Sequence, residues 1–390
     1  MELWNRVEKE IVEDEILSLT RELVKIPSYQ EVEDGERKVA ECLAAFLKDN
    51  GLSPEIRELE KGVNLIVSIG DAREGSPSLM FNGHLDTVPV DNMTIPPFEA
   101  EVRDGKLYGR GSCDMKGGLA CMAAAVAALK RAEVELGGRL VFTGVSAEES
   151  GSWGTRELVN TGPLTDCVIV GEPTNLEIVS ASKGITLAII DIMGKAAHGS
   201  TPELGINAIY KSVKLIERIL EELPRIHETK RHPKLGSPTF NLGIIKSGER
   251  PNIVPDKCTL VFDRRIIPGE TVEEITREFQ EVIDSIKKED AEFDASLQVL
   301  GMLLPPMDTP TNLPFIKCLD EAVSQVVGET VYSGIPGSTD ASIFTQSGIP
   351  SVLFGPGHIS KAHSSDEYVE VSQLKKAADT YALTALKFLT

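Results

Sequence analysis

The chain has no Cys-x-x-Cys pair, no apolar run approaching a membrane span, and a shortage of positive charge. Its six cysteines, Cys42, Cys113, Cys121, Cys167, Cys258 and Cys318, are scattered. Most stand in apolar contexts, where a free thiol acts as a small buried hydrophobe. Lys and Arg number 40 against 60 Asp and Glu, a formal net charge of −20. That argues against a nucleic-acid partner, whose phosphates demand a basic surface, and equally against a membrane of anionic lipid. Solubility is what the acidity implies. The opening Met-Glu-Leu-Trp-Asn-Arg-Val-Glu-Lys-Glu lacks the basic-then-apolar order of a signal peptide. A reduced cytoplasm is the expected compartment.

What is present is 390 residues, 41% of them hydrophobic, too long for one ordinary core and expected to form two domains. Helical periodicity covers 11–24 and 35–49, the second turning Val39, Cys42, Leu43, Phe46 and Leu47 inward. Short apolar runs at 64–69, 78–82, 140–145 and 168–170 read as strands. Between them 116–131, rich in Ala, Leu and Met, reads as a helix packed on both sides. This alternation predicts an α/β fold around a mixed, largely parallel sheet.

Near Ser180 the texture changes. A strand at 186–193, a helix at 205–223, strands at 240–246 and 257–266, a helix at 271–287 and a strand at 293–300 follow. That β-α-β-β-α-β order is the split pattern of a ferredoxin-like (α+β) unit. The Pro-rich stretch 303–310 returns the chain to its first texture, with helices at 312–327 and 374–388 around a strand at 351–354. The expected division is a discontinuous domain, 1–182 and 301–390, with an inserted domain at 183–300.

The most informative feature is the acidic pair Glu148-Glu149, which follows the apolar run 139–146. Charge at the carboxyl end of a buried strand sits where open α/β sheets build their sites. Neighbouring side chains there diverge, so one carboxylate can hold a metal while the other faces a substrate. Other segments share the context. Phe81-Asn-Gly-His-Leu-Asp-Thr places His84 and Asp86 after an apolar strand, and a carboxylate at that spacing can fix a histidine tautomer. Asp114 stands in the glycine-dense Gly109-Arg-Gly-Ser-Cys-Asp-Met-Lys-Gly-Gly118, and Glu172 in Val-Gly-Glu-Pro-Thr. Gly357-His-Ile-Ser-Lys-Ala-His-Ser-Ser-Asp-Glu367 offers His358 and His363. Singly, each has a plain structural reading as a helix cap, a turn or a solvated charge. Together they supply histidines and carboxylates at the strand and turn ends of one sheet.

Such a set fits a pair of zinc ions, which accept His nitrogen and carboxylate oxygen and leave room for water. Two ions roughly 3.5–4 Å apart need a shared carboxylate. Co2+ or Mn2+ could replace zinc among such ligands.

At this point the chain resembles the co-catalytic zinc hydrolases that include acetylornithine deacetylase, succinyl-diaminopimelate desuccinylase, aminoacylase and glutamate carboxypeptidase. The resemblance runs from about Leu19 to Val371. It implies that Asp114 bridges two ions, that His84 and Glu172 complete one, and that Glu149 and His363 complete the other. Glu148 is then the general base and proton shuttle, and Asp86 orients His84. A cis peptide after the bridging aspartate, Asp114-Met115, is common in the family. The first domain is implied to be the metal-binding catalytic one, and the inserted domain a lid and dimerisation domain. Within the latter, His198 in Ala-His-Gly-Ser-Thr-Pro is the histidine that reaches a partner subunit's site and stabilises the oxyanion in dimeric relatives. Asn252 and Arg265 match substrate-binding positions, with Arg264 adjacent and either arginine able to face inward. Gly337, Ser338 and Thr339 match a substrate loop that can hold a carboxylate.

The implied reaction is hydrolysis of the amide bond of an N-acyl amino acid carrying a free carboxylate, with a homodimer formed through the lid domain. Gly-Glu-Pro-Thr and the predicted hairpin 102–108 lean toward the deacetylase/desuccinylase branch. A dipeptidase or carboxypeptidase would use the same ligands. A catalytically dead, metal-stabilised binding protein is the reading from another class, but every expected position is filled. His227 and His232, in a polar stretch with Lys230 and Arg231, read as solvated. For the second histidine ligand, His363 is preferred over His358.

Overall fold

The computed structural model describes residues 2–71, 73 and 75–390. The chain divides into two compact units. The first comprises residues up to Ser180, Thr309–Ser333 and Thr339–Thr390, and the second Ala181–Asp308 and Gly334–Ser338.

In the first unit the central strands run Arg139–Val145, Ser78–His84, Cys167–Val170 and Ser351–Leu353, every neighbour parallel. Outside them the sheet turns antiparallel, through Val63–Gly70 and Glu55–Glu58 on one side and Ile178–Ser182 on the other. The sheet is therefore mixed, with its parallel character confined to the centre. The reason is local. Glu55–Glu58 and Val63–Gly70 are joined by the tight turn at 59–62, where Gly62 takes a φ of 82°, and so short a connection permits only antiparallel pairing.

The helix Gly117–Arg131 lies against this sheet, buried along all but its last turn. Its Ala, Leu and Met side chains leave no polar face, as expected of a helix covered on both sides. By length and composition the segment Ser112–Arg131 could cross a membrane, which corrects the expectation that no run comes close. All but its last turn is buried inside the protein. The core continues through Phe81, Phe142, Phe354 and Tyr381, all fully buried. The Tyr381 hydroxyl is not orphaned there, because it donates to the Phe354 carbonyl.

One close approach fixes where Glu172 can stand. A Cβ on Gly118 would come 2.2 Å from the Gly171 carbonyl oxygen. Only glycine lets the start of this helix press against the strand end that carries Glu172.

The second unit has a four-stranded antiparallel sheet ordered Thr239–Ser247, Lys257–Ile266, Gly184–Met193, Asp294–Val299. The helices Ala208–Glu228 and Val272–Glu289 pack on it, with Leu215, Ile219, Phe262 and Phe279 in the core. This is the ferredoxin-like arrangement expected of the inserted segment. The first helix runs five residues past the predicted end at 223 and includes Pro224. Proline costs that helix one N–H donor, yet the turn beyond is anchored because His227 is buried.

That burial corrects the solvated reading of His227. Its Nε2 lies 3.2 Å from Glu278 Oε2, in a network where Arg264 Nη2 sits 2.6 Å from Glu270 and 3.3 Å from Glu278. His232 is corrected likewise, since its mostly buried ring lies 3.3 Å from Asp308. Burial pushes the Glu278 carboxyl up, but the hydrogen bonds from His227 and Lys230 and the charge of Arg264 win, lowering it from 4.5 to about 2. A depressed folded-state value gives stability that is present above 4.5 and lost as pH falls through 2. Glu278→Gln should therefore cost about 3 kcal/mol at neutral pH, by removing a carboxylate that His227, Lys230 and Arg264 share, with Glu270 still facing Lys230 and Arg264. The gap from the parent should narrow as pH drops from 4.5 toward 2, measured by urea titration at each pH.

Candidate metal centre

The parallel strands deliver their carboxyl ends to one edge of the first unit. His84 is the last residue of Ser78–His84, Glu148 and Glu149 follow Arg139–Val145, and Glu172 follows Cys167–Val170. His363 lies on the segment after Ser351–Leu353, and Asp114 on the turn before Gly117–Arg131. Ladder hydrogen bonding fixes these strand ends side by side, so residues far apart in sequence converge.

His84 is buried, its Nε2 3.0 Å from Asp114 Oδ1 and its Nδ1 2.9 Å from the Asp86 carbonyl oxygen. The Asp86 carboxylate stands 3.5 Å from Nδ1. Its two oxygens instead accept the backbone N–H groups of Glu148 and Glu149, each at 3.1 Å. The carbonyl of Asp86 is thus the nearer partner of the ring, and its carboxylate fastens the acidic loop. Glu36 extends this grip by accepting the Ala147 N–H at 2.7 Å. Three successive N–H groups are held by two carboxylates, with Ala147 in the left-handed region at φ 59°.

On the far side of Asp114, Oδ2 lies 3.4 Å from His363 Nε2, which is also 2.9 Å from Glu149 Oε1. The Asp114-Met115 peptide bond is cis. Among the described residues three groups bring their ligand atoms within 4.8 Å of one another: His84, Asp114 and Glu172; Asp114, Glu149 and His363; and His84, Glu148 and Glu149. His358 joins none of them. Its ring is exposed, and Nδ1 accepts the Ser360 N–H at 3.1 Å.

Electrostatics say what such a cluster requires. Burial raises the Glu148 carboxyl well above the ordinary range, opposed by His84 and reinforced by Asp340, Glu172 and Glu149. Glu172 is raised by burial and then by Asp114. Asp114 goes the other way: despite burial, the His363 and His84 rings hold it below the usual carboxylate range. His363 in turn is pushed up to about 10 by Asp114 and Glu149. Four carboxylates against two imidazoles leave negative charge in a buried place, a poor arrangement unless cations share it. Mixed imidazole and carboxylate donors, with one carboxylate common to two groups, fit a pair of divalent ions, which would lower the raised carboxyls of Glu148 and Glu172 and the raised His363.

The remaining predicted residues fall in other places. Thr339 belongs to the first unit, where its hydroxyl accepts the Ala341 N–H at 3.3 Å and caps the helix Asp340–Gln346. His198, Asn252, Arg265, Gly337 and Ser338 belong to the second. There the His198 and Asn252 loops lie together, the Gly199 N–H donating to the Asn252 carbonyl at 2.8 Å. Arg264 is fully buried in the acidic network, whereas Arg265 is partly exposed and pairs with Asp263 at 2.8 Å. Of the two arginines only Arg265 is left with a surface to offer. Ser338 donates to the Lys183 carbonyl, and Gly337 stands open.

Three residues near the cluster escaped the sequence reading: Glu36, Glu367 and Asp340. Glu36 carries no signal beyond its place in a helix. Glu367 ends the His363 segment, and Asp340 ends Gly-Ser-Thr-Asp, so both stood inside segments already singled out. Asp340 is buried beside Ser152 and Thr155, and burial raises it to about 6.

The sequence model of peptidase family M20/M25/M40 matches residues 80–387. A probable succinyl-diaminopimelate desuccinylase of Staphylococcus epidermidis is 30% identical over 95% of this chain and 96% of its own length. An acetylornithine deacetylase of Myxococcus xanthus is 32% identical over 88% of this chain and 86% of its own. Among solved structures, a tripeptidase of Staphylococcus aureus superposes with a TM-score of 0.80 at 25% identity, covering 96% of this chain and 98% of that one.

Proposed function

Because the chain belongs to peptidase family M20/M25/M40, a family of hydrolases, we propose that it is a di-zinc amidohydrolase cleaving an N-acyl amino acid. The observation that carries this is the pair of ligand groups sharing Asp114, with Glu148 beside them and outside both. His84, Asp114 and Glu172 would hold one ion, and Asp114, Glu149 and His363 the other, with Co2+ or Mn2+ able to substitute. Bound there, the ions supply Lewis acidity and a lowered water pKa. Glu148 removes the proton of the attacking water and passes it to the leaving amine. Asp86 and Glu36 keep that carboxylate in place by holding the loop it stands on.

In the second unit, His198 from a second copy of the chain would meet the oxyanion, and Asn252 and Arg265 the substrate. Arg265 suits a free carboxylate because its planar fork binds two oxygens. The glycine-rich loop at Gly337, Ser338 and Thr339 would add backbone donors. On this reading the second unit is a lid and dimerisation domain.

The deacylase names of the similar chains favour an acyl group over a peptide. The fold shared with a tripeptidase keeps the exopeptidase reading second. Zinc-loaded protein should be assayed with N-acetyl amino acids, N-succinyl-diaminopimelate, and di- and tripeptides. Turnover of an acyl substrate is expected. Cleavage of peptides alone would move the assignment to an exopeptidase. No turnover with both ions bound would make it a metal-stabilised scaffold.

A further inference from the structure

Glu367 is fully buried, and its hydrogen bonds run to backbone N–H groups and to Arg110. One oxygen, Oε1, accepts the backbone N–H groups of Cys113 and Asp114, each at 3.0 Å. The other, Oε2, accepts from Arg110 Nη1 at 2.6 Å. Arg110 is itself 1% exposed, and its Nη2 donates to Asn92 Oδ1 at 3.0 Å and to the Pro89 carbonyl at 3.2 Å. Asn92 closes the circuit by donating to the His363 carbonyl at 3.1 Å.

The circuit therefore joins the segments around His84, Asp114 and His363. It holds the backbone of Asp114 at one point and that of His363 at another. His363 needs such support, because its φ of 58° lies in the left-handed region, which costs a non-glycine residue about 1 kcal/mol or more. A buried ion pair is an expensive way to gain stability alone. Here its hydrogen bonds end on the two backbones whose spacing decides whether Asp114 and His363 can share an ion.

We propose that Glu367, with Arg110 and Asn92, is a positioning set that fixes His363 relative to Asp114. It thereby governs occupancy of the Asp114/Glu149/His363 group, two of whose members it holds, more than that of the His84/Asp114/Glu172 group, of which it holds only Asp114. This rests on the dinuclear reading above.

The test is a Zn2+ titration of chelator-stripped protein with a competing indicator, alongside thermal melting of the stripped forms. The parent should take two ions. Glu367→Gln, which sets an amide against Arg110, should weaken one ion, the same one that His363→Ala removes, 10–100-fold and shift the other less. Asn92→Ala removes an exposed side chain, so it should fold normally and still weaken that ion by about 5-fold. Should Glu367→Gln fail to fold, Asn92→Ala decides. Both ions bound at parental strength in folded variants would overturn the proposal, as would equal loss of both with a lowered melting point. A parent that takes fewer than two ions would instead bring down the dinuclear reading itself, and this inference with it.

Discussion

Glu148→Gln is expected to keep both ions and lose kcat by about 10²–10⁴-fold, with KM little changed. The amide has nearly the shape of the carboxylate, so loop and cluster should persist. Asp86 fastens Glu148 through its backbone N–H, not its side chain. What the variant loses is a proton acceptor, one that burial and neighbouring carboxylates hold well above the ordinary range. Glu149→Gln is the control. It removes a member of the Asp114/Glu149/His363 group, so its rate should fall together with its zinc content. Initial rates paired with metal analysis of the same preparations separate the two outcomes. Parental turnover by metal-loaded Glu148→Gln would remove Glu148 from the role of base.

That adjacent glutamates can differ so much is a matter of placement, and placement was the part that sequence conveyed well. The helix at 35–49 stands where its clean apolar period put it. The central strands were visible as short apolar runs because both faces are covered. Elements without such a signature were missed. Trp153–Thr161 begins at Ser152 in the left-handed region with no side-chain cap, and Asp340–Gln346 spans barely two turns. Ile178–Ser182 reads Ile-Val-Ser-Ala-Ser, too small and polar to stand out although every residue is buried. In the candidate site the same division holds. Side chains that project from strand ends announce themselves by type and spacing. Residues that act on another segment's backbone do not, because a hydrogen bond from Ala147 to Glu36 or from Asp114 to Glu367 leaves no periodic trace. The solvated reading of His227 failed for a related reason: its partner Glu278 lies far along the chain.

Asp114→Ala should strip both ions and lower activity by about 10³-fold or more, the largest metal effect of any single change here. Asp114 is the member common to the two groups that would each hold an ion. His363→Ala should cost mainly one ion, so comparing zinc stoichiometries tests whether Asp114 is shared. A variant of Asp114 that still binds two ions at parental strength would end the bridging assignment. A second readout needs no metal at all. In the stripped protein His363 is raised to about 10, first by Asp114 and then by Glu149. Removing the larger cause must lower that value toward the ordinary 6.5, though not fully, because Glu149 Oε1 remains 2.9 Å away. A histidine raised on folding contributes stability that is present below 6.5 and lost as pH climbs through 10. The stripped parent should therefore lose stability across that interval more steeply than stripped Asp114→Ala. Ring titration by NMR and denaturant melts at pH 6 and 10 would register the difference. Its absence would mean that Asp114 does not hold the His363 ring.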